Sequence, residues 1–85
     1  MSEIQSLARG LKILIMMAET EQGLGVIELA ERMGVNKGTA SRMIQTLKNY
    51  GFVEQAPDGR RYQLGPVLVH LSSAVIHRMP LRETA

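Results

Sequence analysis

Apolar and polar residues near the start of the chain recur at the spacing of an amphipathic helix. The apolar positions, three or four residues apart, are Leu7, Leu11, Leu14 and Ala18. Because one helical turn takes about 3.6 residues, these side chains share one face of a helix over residues 6 to about 19. Ser6 is suited to cap its first turn, since a serine oxygen can accept a hydrogen bond from a free backbone N–H. The pattern predicts a first helix that begins at Ser6.

Two further amphipathic segments follow the polar, glycine-bearing residues 20–25. The apolar positions of the first are Val26, Ile27, Leu29, Ala30 and Met33. Gly34 ends this second helix, because glycine readily adopts the left-handed conformation that turns the chain. Asn36 is a good N-cap for a third helix that ends near Gly51. The apolar face of this third helix consists of Ala40, Met43, Ile44 and Leu47.

The rest of the chain predicts a hairpin and a fourth helix. Strands are expected over residues 52–55 and 60–64, and the turn between them consists of Ala56, Pro57, Asp58 and Gly59. Proline presets the backbone of a turn, and aspartate and glycine are common in the next two positions. The fourth helix follows Pro66, covers about residues 67–77, is unusually apolar and ends before Pro80.

The order of these elements predicts a winged helix-turn-helix, mainly α with a small two-stranded β-hairpin as the wing. Two helices that cross over a tight turn need a small side chain at the crossing and a glycine in the turn, which Ala30 and Gly34 supply. A helical hairpin with a glycine turn is the alternative for this segment, although the hairpin that follows favours the winged fold. Eighty-five residues suffice for one core but leave no room for a second domain with its own pocket.

The polar side of the third helix indicates a polyanion partner. On a helical wheel this side is centred on Gly38, Arg42, Gln45 and Asn49, and the helix carries no carboxylate. Residues 36–61 contain five Lys or Arg side chains against Glu54 and Asp58. A surface that meets phosphates needs such a balance, whereas an ordinary solvent-facing helix usually mixes Glu with Lys. We therefore expect this helix to bind double-stranded DNA in the major groove.

Individual residues of the third helix have distinct expected roles. Arg42 is best placed to reach a base edge such as that of guanine, with a phosphate contact as its alternative. Lys37, Thr39 and Ser41 lie in the first turns and are expected to contact phosphates. Gly38 either permits close approach of DNA to the backbone or is merely tolerated near a helix end.

Two arginines occupy the predicted wing just after its turn. Arg60 or Arg61 could contact the DNA backbone or enter the minor groove, and the alternation of side chains along a strand predicts that only one of them points toward DNA. A role in solubility is the alternative for both. Single-stranded nucleic acids are a weaker interpretation, because the three aromatic residues, Tyr50, Phe52 and Tyr62, are expected to belong to the core.

Other function classes receive little support. The chain has no cysteine, which excludes a disulfide or a thiolate-bound zinc. His70 and His77 are too widely spaced for a two-histidine metal motif, so no metal is predicted. Asp58 is accounted for by the turn and the serines have no evident base beside them, so neither a cofactor nor an enzymatic activity is predicted. The longest apolar run, residues 13–18, is far shorter than the roughly 20 residues of a membrane-spanning helix. We expect a cytoplasmic protein.

The chain resembles the IclR-type transcriptional regulators over nearly its whole length. The likeness lies in SLARGLKIL at residues 6–14, ELAERMGVNKGTASRMIQTLKNYGFVE at 28–54 and DGRRYQLGPVLVHL at 58–71. It implies that Thr39 and Arg42 face DNA, although Gly38 replaces a usual serine and Ser41 a frequently larger polar residue. It also implies that residues 1–65 are the DNA-binding domain and that 66–85 form a linker helix toward a C-terminal effector domain that this chain lacks.

The predicted function is therefore sequence-specific binding of duplex DNA for transcription regulation. We expect a homodimer through the first helix and the fourth, or linker, helix. The fourth helix has more apolar surface than one small domain can cover. Packing of this helix on its own domain is the alternative. A small-molecule effector is expected only for a full-length protein. A winged helix that binds an acidic protein is the alternative function.

Overall fold

A computed structural model describes residues 2–79, and the predicted end of the linker, residues 80–85 with Pro80, lies outside them. The elements are helices α1 (Gln5–Ala18), α2 (Val26–Met33), α3 (Lys37–Asn49) and α4 (Val67–Arg78), and strands β1 (Leu24–Gly25), β2 (Val53–Gln55) and β3 (Arg61–Leu64). No helix among the described residues combines the length and the hydrophobicity needed to cross a membrane.

The core lies where α1, α2, α3 and the small sheet meet. Its fully buried members are aliphatic side chains and one methionine: Ile13, Met17, Leu24, Leu29, Ile44 and Val53. Every one of these elements contributes at least one of them. Burial of such side chains supplies most of the stability of a small domain. Ala30 and Ala40 are also buried and allow α2 and α3 to cross closely.

Helix α1 differs from the prediction in its start and in the face that it buries. It begins at Gln5 after Ile4, which makes no side-chain capping bond, so the expected cap at Ser6 is wrong. Ile13 and Met17 are buried, whereas Leu7 and Leu11 are more than half exposed. Both sets of residues repeat with helical spacing, so periodicity alone could not tell which one faces the core.

The segment from α2 to α3 confirms the predicted helix-turn-helix. Gly34 adopts the left-handed conformation with φ of 70°, and the Val35 N–H donates to the Ala30 carbonyl at 3.1 Å. Asn36 then caps α3, because its side-chain oxygen accepts a hydrogen bond from the Thr39 N–H at 2.8 Å. These two local signals fix where one helix ends and the next begins.

The sheet has three strands in the order β1-β3-β2, all antiparallel, rather than the two that were predicted. Strand β1 adds only Leu24 and Gly25, paired with Tyr62 and Arg61. Two residues are too few to show an alternating pattern, which explains why the sequence did not reveal them. The predicted turn is confirmed, since the Gly59 N–H donates to the Ala56 carbonyl at 2.9 Å.

Helix α4 leaves the domain surface soon after it begins. Its first residue is anchored by a hydrogen bond of 3.1 Å from the Val67 N–H to the Gly51 carbonyl. No residue of α4 is buried, and Val69, Leu71, Val75 and Ile76 are large apolar side chains that remain exposed. The alternative that α4 packs on its own domain is therefore not what the structure shows.

Candidate nucleic-acid interface

The polar side of α3 faces solvent, as the sequence predicted. Its exposed residues include Lys37, Gly38, Ser41, Arg42 and Gln45, and Thr39 is half-buried. Ala40 and Ile44, on the opposite side of the same helix, are buried. The fold therefore presents the predicted α3 residues together on one accessible surface, with no carboxylate among them.

The Arg42 guanidinium makes no hydrogen bond or ion pair to any residue between 2 and 79. Only its backbone is engaged, because the Thr46 hydroxyl donates to the Arg42 carbonyl at 2.8 Å. Gln45 is less independent, since its side-chain amide donates to the Asn49 side-chain oxygen at 3.0 Å. Arg42 is thus the side chain of this surface whose hydrogen-bonding fork is available to a ligand.

The structure gives no internal reason for a glycine at position 38. A Cβ placed there would meet only the Asn36 side-chain oxygen, at an ordinary distance of 3.5 Å. Glycine costs roughly 1 kcal/mol relative to alanine inside a helix. Close approach of DNA to the backbone at Gly38 stays a prediction. The fold itself does not require this glycine, so packing within the domain does not explain it.

A groove of about 650 Å³ lies between α1 and α3. Its apolar lining includes Leu7, Leu11, Leu14, Met43, Leu47 and Phe52. Arg9 lines the same groove as Thr39 and Arg42, and so extends the basic surface beyond α3. Arg9 is far from Arg42 along the chain and only the fold brings them together, so the sequence pattern alone did not reveal this neighbour.

The expected place of the aromatic residues is partly wrong. Tyr50 also lines the groove and is 71% exposed, so it is not a core residue. Tyr50 is the C-cap that follows the last residue of α3. Phe52 is half-buried, and Tyr62 packs against the core as expected.

Asp58 organises the wing through its carboxylate. One oxygen accepts hydrogen bonds from the backbone N–H groups of Arg60 and Arg61, at 2.8 and 3.1 Å. Its other oxygen lies 3.5 Å from the Arg61 side-chain Nε. The backbone N–H of Arg60, then that of Arg61, and the nearby arginine charges lower the pKa of Asp58 from its ordinary value of 3.8. The hydrogen bonds that hold the turn are therefore made by the ionised form of Asp58.

Family comparison supports a helix-turn-helix assignment. Residues 6–57 match the family described as the IclR helix-turn-helix domain. The chain is 40% identical to the glycerol operon regulatory protein of Streptomyces griseus over 82 residues, which cover 96% of this chain and 32% of that protein. It is also 35% identical to the transcriptional repressor IclR of Escherichia coli, over 74% of this chain and 23% of that protein.

Solved structures agree with this and confirm the winged helix-turn-helix fold. An IclR transcriptional regulator from Alicyclobacillus acidocaldarius matches with a TM-score of 0.79 and 35% identity, over 87% of this chain and 30% of that chain. An IclR family regulator from Brucella abortus gives a TM-score of 0.79 at 34% identity, over 98% of this chain and 32% of that chain. These proteins are transcription regulators, not enzymes, and this chain spans about a third of their length.

Proposed function

This chain belongs to the IclR helix-turn-helix family of DNA-binding transcription regulators, and we propose that it binds duplex DNA with α3 in the major groove. The observation that carries the proposal is the exposed, carboxylate-free polar side of α3. Phosphates repel carboxylates and attract Lys and Arg, so such a surface suits close contact with a duplex.

The N-terminal part of α3 is expected to position the protein on the DNA backbone. The first backbone N–H groups of a helix lack partners within it and favour anions. Lys37 adds a positive charge at this end, and Thr39 and Ser41 add hydroxyl donors. Because phosphate contacts are the same for every sequence, these residues contribute affinity rather than specificity.

Arg42 is the residue that we expect to read sequence. It lies more than one turn into α3, and its guanidinium has no competing partner among residues 2–79. A guanidinium can donate two parallel hydrogen bonds to the acceptors of a guanine in the major groove. Gln45, one turn further along, extends the same surface toward neighbouring base pairs.

We further propose that two copies of this chain associate through α1 and α4. Both helices expose large apolar side chains, among them Leu7, Leu11, Ile15, Leu71 and Val75. A second copy would remove these side chains from water. In a dimer the two α3 helices would enter successive major grooves about 10 base pairs apart.

The remaining parts of the proposal concern a regulator of the same length as the relatives. Residues 1–65 would form the DNA-binding domain, and 66–85 the linker toward an effector domain that binds a small molecule. Such a regulator would act in the cytoplasm, where it can reach DNA.

Selection of duplexes from a random pool with this chain, followed by salt titration, tests the function. We expect a recovered consensus and an affinity that falls steeply as salt rises, because bound phosphates release counterions. The alternative, an acidic protein partner, would leave no affinity for duplex DNA in either experiment.

A further inference from the structure

The two wing arginines lie next to each other in sequence but in different surroundings. Arg60 is exposed, and its side chain makes no hydrogen bond or ion pair within residues 2–79. Arg61 is half-buried and begins strand β3. Arg60 lies just before that strand, at the end of the wing turn, so the two guanidinium groups start from different backbone settings.

The Arg61 side chain is held between two parts of the chain. Its Nη1 donates a hydrogen bond of 2.9 Å to the side-chain oxygen of Gln22, in the connection between α1 and α2. Its Nε lies 3.5 Å from an oxygen of Asp58, in the wing turn. This one side chain therefore links the wing to a segment that is 39 residues away in sequence.

Backbone packing places the connection directly beside the wing. A Cβ on Gly23 would clash with the Tyr62 carbonyl oxygen and would lie 3.6 Å from the Arg61 Cβ, so only glycine fits there. The connection itself is ordered by Thr20, whose hydroxyl accepts a hydrogen bond from the Gly23 N–H at 3.1 Å. The Arg61 side chain therefore lies next to an ordered segment, the connection between α1 and α2.

The surroundings of Arg61 disfavour a phosphate. It shares a shallow polar cleft with Glu21 and Glu28, and Asp58 lies on its other side. The Asp58 carboxylate pairs with the guanidinium, and the negative charges of Glu21 and Glu28 in the same cleft disfavour a phosphate there. Among residues 2–79 the Arg60 side chain has no ion pair, and its backbone N–H donates to Asp58 at 2.8 Å.

We propose that Arg60 is the wing's phosphate contact, whereas Arg61 is a positioning residue that braces the wing against the α1–α2 connection. This assignment rests on the proposed function, because it presumes a duplex beside the wing. The connection leads directly into α2, which crosses α3, so the brace sets the position of Arg60 relative to the DNA-facing surface.

The test compares Arg60→Ala, Arg61→Ala, Gln22→Ala and the Gln22→Ala/Arg61→Ala double variant in the 85-residue chain, with a random-sequence duplex as the probe. We expect Arg60→Ala to lower the slope of log K against log salt by about 0.9, the contribution of one phosphate. Arg61→Ala and Gln22→Ala should weaken binding with little change in slope. The double variant should bind no more weakly than Arg61→Ala alone, because both changes break one contact.

Gln22→Ala is the matched control, since it removes the brace without changing the charge. Amide hydrogen exchange of residues 56–61 in the free protein should become faster in Arg61→Ala and Gln22→Ala but not in Arg60→Ala. The assignment would be overturned if Arg61→Ala lowered the slope of log K against log salt by about 0.9 while the exchange of the wing amides stayed unchanged.

The outcomes also separate this inference from the proposed function. If the unaltered chain shows no salt-dependent binding to the duplex, the proposed function fails, and the role of Arg60 fails with it. The brace is then decided by exchange alone, because unchanged wing exchange in both Arg61→Ala and Gln22→Ala would contradict it.

Discussion

Helices α3 and α4 both present a broad surface to solvent, but the two surfaces have opposite chemistry. The exposed side of α3 is polar and basic, while its other side contributes the buried Ala40 and Ile44 to the core. Helix α4 contributes no buried residue to the core, and its exposed side chains are largely apolar. Exposure therefore does not identify a binding surface by itself. The chemistry of the exposed face is what distinguishes the two helices, and we propose a duplex as the partner of α3 and an apolar surface as that of α4.

Substitutions on the buried side of α3 and on α4 should differ most in their effect on the free energy of unfolding. Ile44→Ala should lower the free energy of unfolding by about 2–5 kcal/mol, because it removes apolar contacts and leaves a cavity in the core. Val75→Ala on α4 should change it by less than about 0.5 kcal/mol at protein concentrations where the chain is monomeric. Urea denaturation measures both. Equal losses would mean that α4 packs on its own domain.

A second experiment tests whether α4 meets another copy of the chain. Leu71→Gln should weaken self-association by about 1.5–3 kcal/mol per protomer, because that is the range for burying one large apolar side chain. Sedimentation equilibrium over a range of concentrations gives the dissociation constant. A monomeric wild-type chain, or a variant that associates as tightly as wild type, would contradict the proposed use of α4.

The polar side of α3 is tested by a pair of basic residues on the same helix. Arg42→Ala should cost about 1–3 kcal/mol on the selected duplex and far less on random DNA, because a base contact is lost. Lys37→Ala should weaken both duplexes alike and flatten the salt dependence, as loss of a phosphate contact does. Binding titrations on the two duplexes distinguish them. Unchanged affinity in both variants would remove α3 from the interface.

The smallest expected effect concerns pH and the wing. The lowered pKa of Asp58 means that its ionised form stabilises the folded wing, so this contribution is present above pH 3.8 and is lost as the pH falls through the lower folded value. An NMR titration of the Asp58 carboxyl group should give a pKa below 3.8. Asp58→Asn should remove this pH dependence from the exchange of the wing amides. A pKa above 3.8 would contradict the hydrogen-bonded turn.

Local signals explain what the sequence could predict. Gly34 and Asn36 each act through the backbone of their own turn, so the boundaries of α2 and α3 followed directly from residue type. Helical periodicity gave the apolar face of α3, and its polar side was then the opposite face of the same helix. The same reasoning placed Pro57 and Asp58 in the wing turn. Contacts within a few residues are visible in a sequence because they need no knowledge of the fold.

Long-range pairings explain what the sequence could not predict. Helix α1 carries two apolar stripes, and only the position of the other elements decides that Ile13 rather than Leu11 is buried. Strand β1 exists because β3 lies beside it. The approach of Arg9 to the α3 surface and the contact between Gln22 and Arg61 likewise depend on packing between distant segments.

Duplex DNA is proposed to bind α3 and not α4, and the most direct test maps the backbone amide shifts of the 85-residue chain as a random-sequence duplex is added. We expect the largest changes at residues 37–46 and at Arg60, with the exposed apolar residues of α4 unaffected. Changes concentrated on α4, or none along α3, would contradict this proposal.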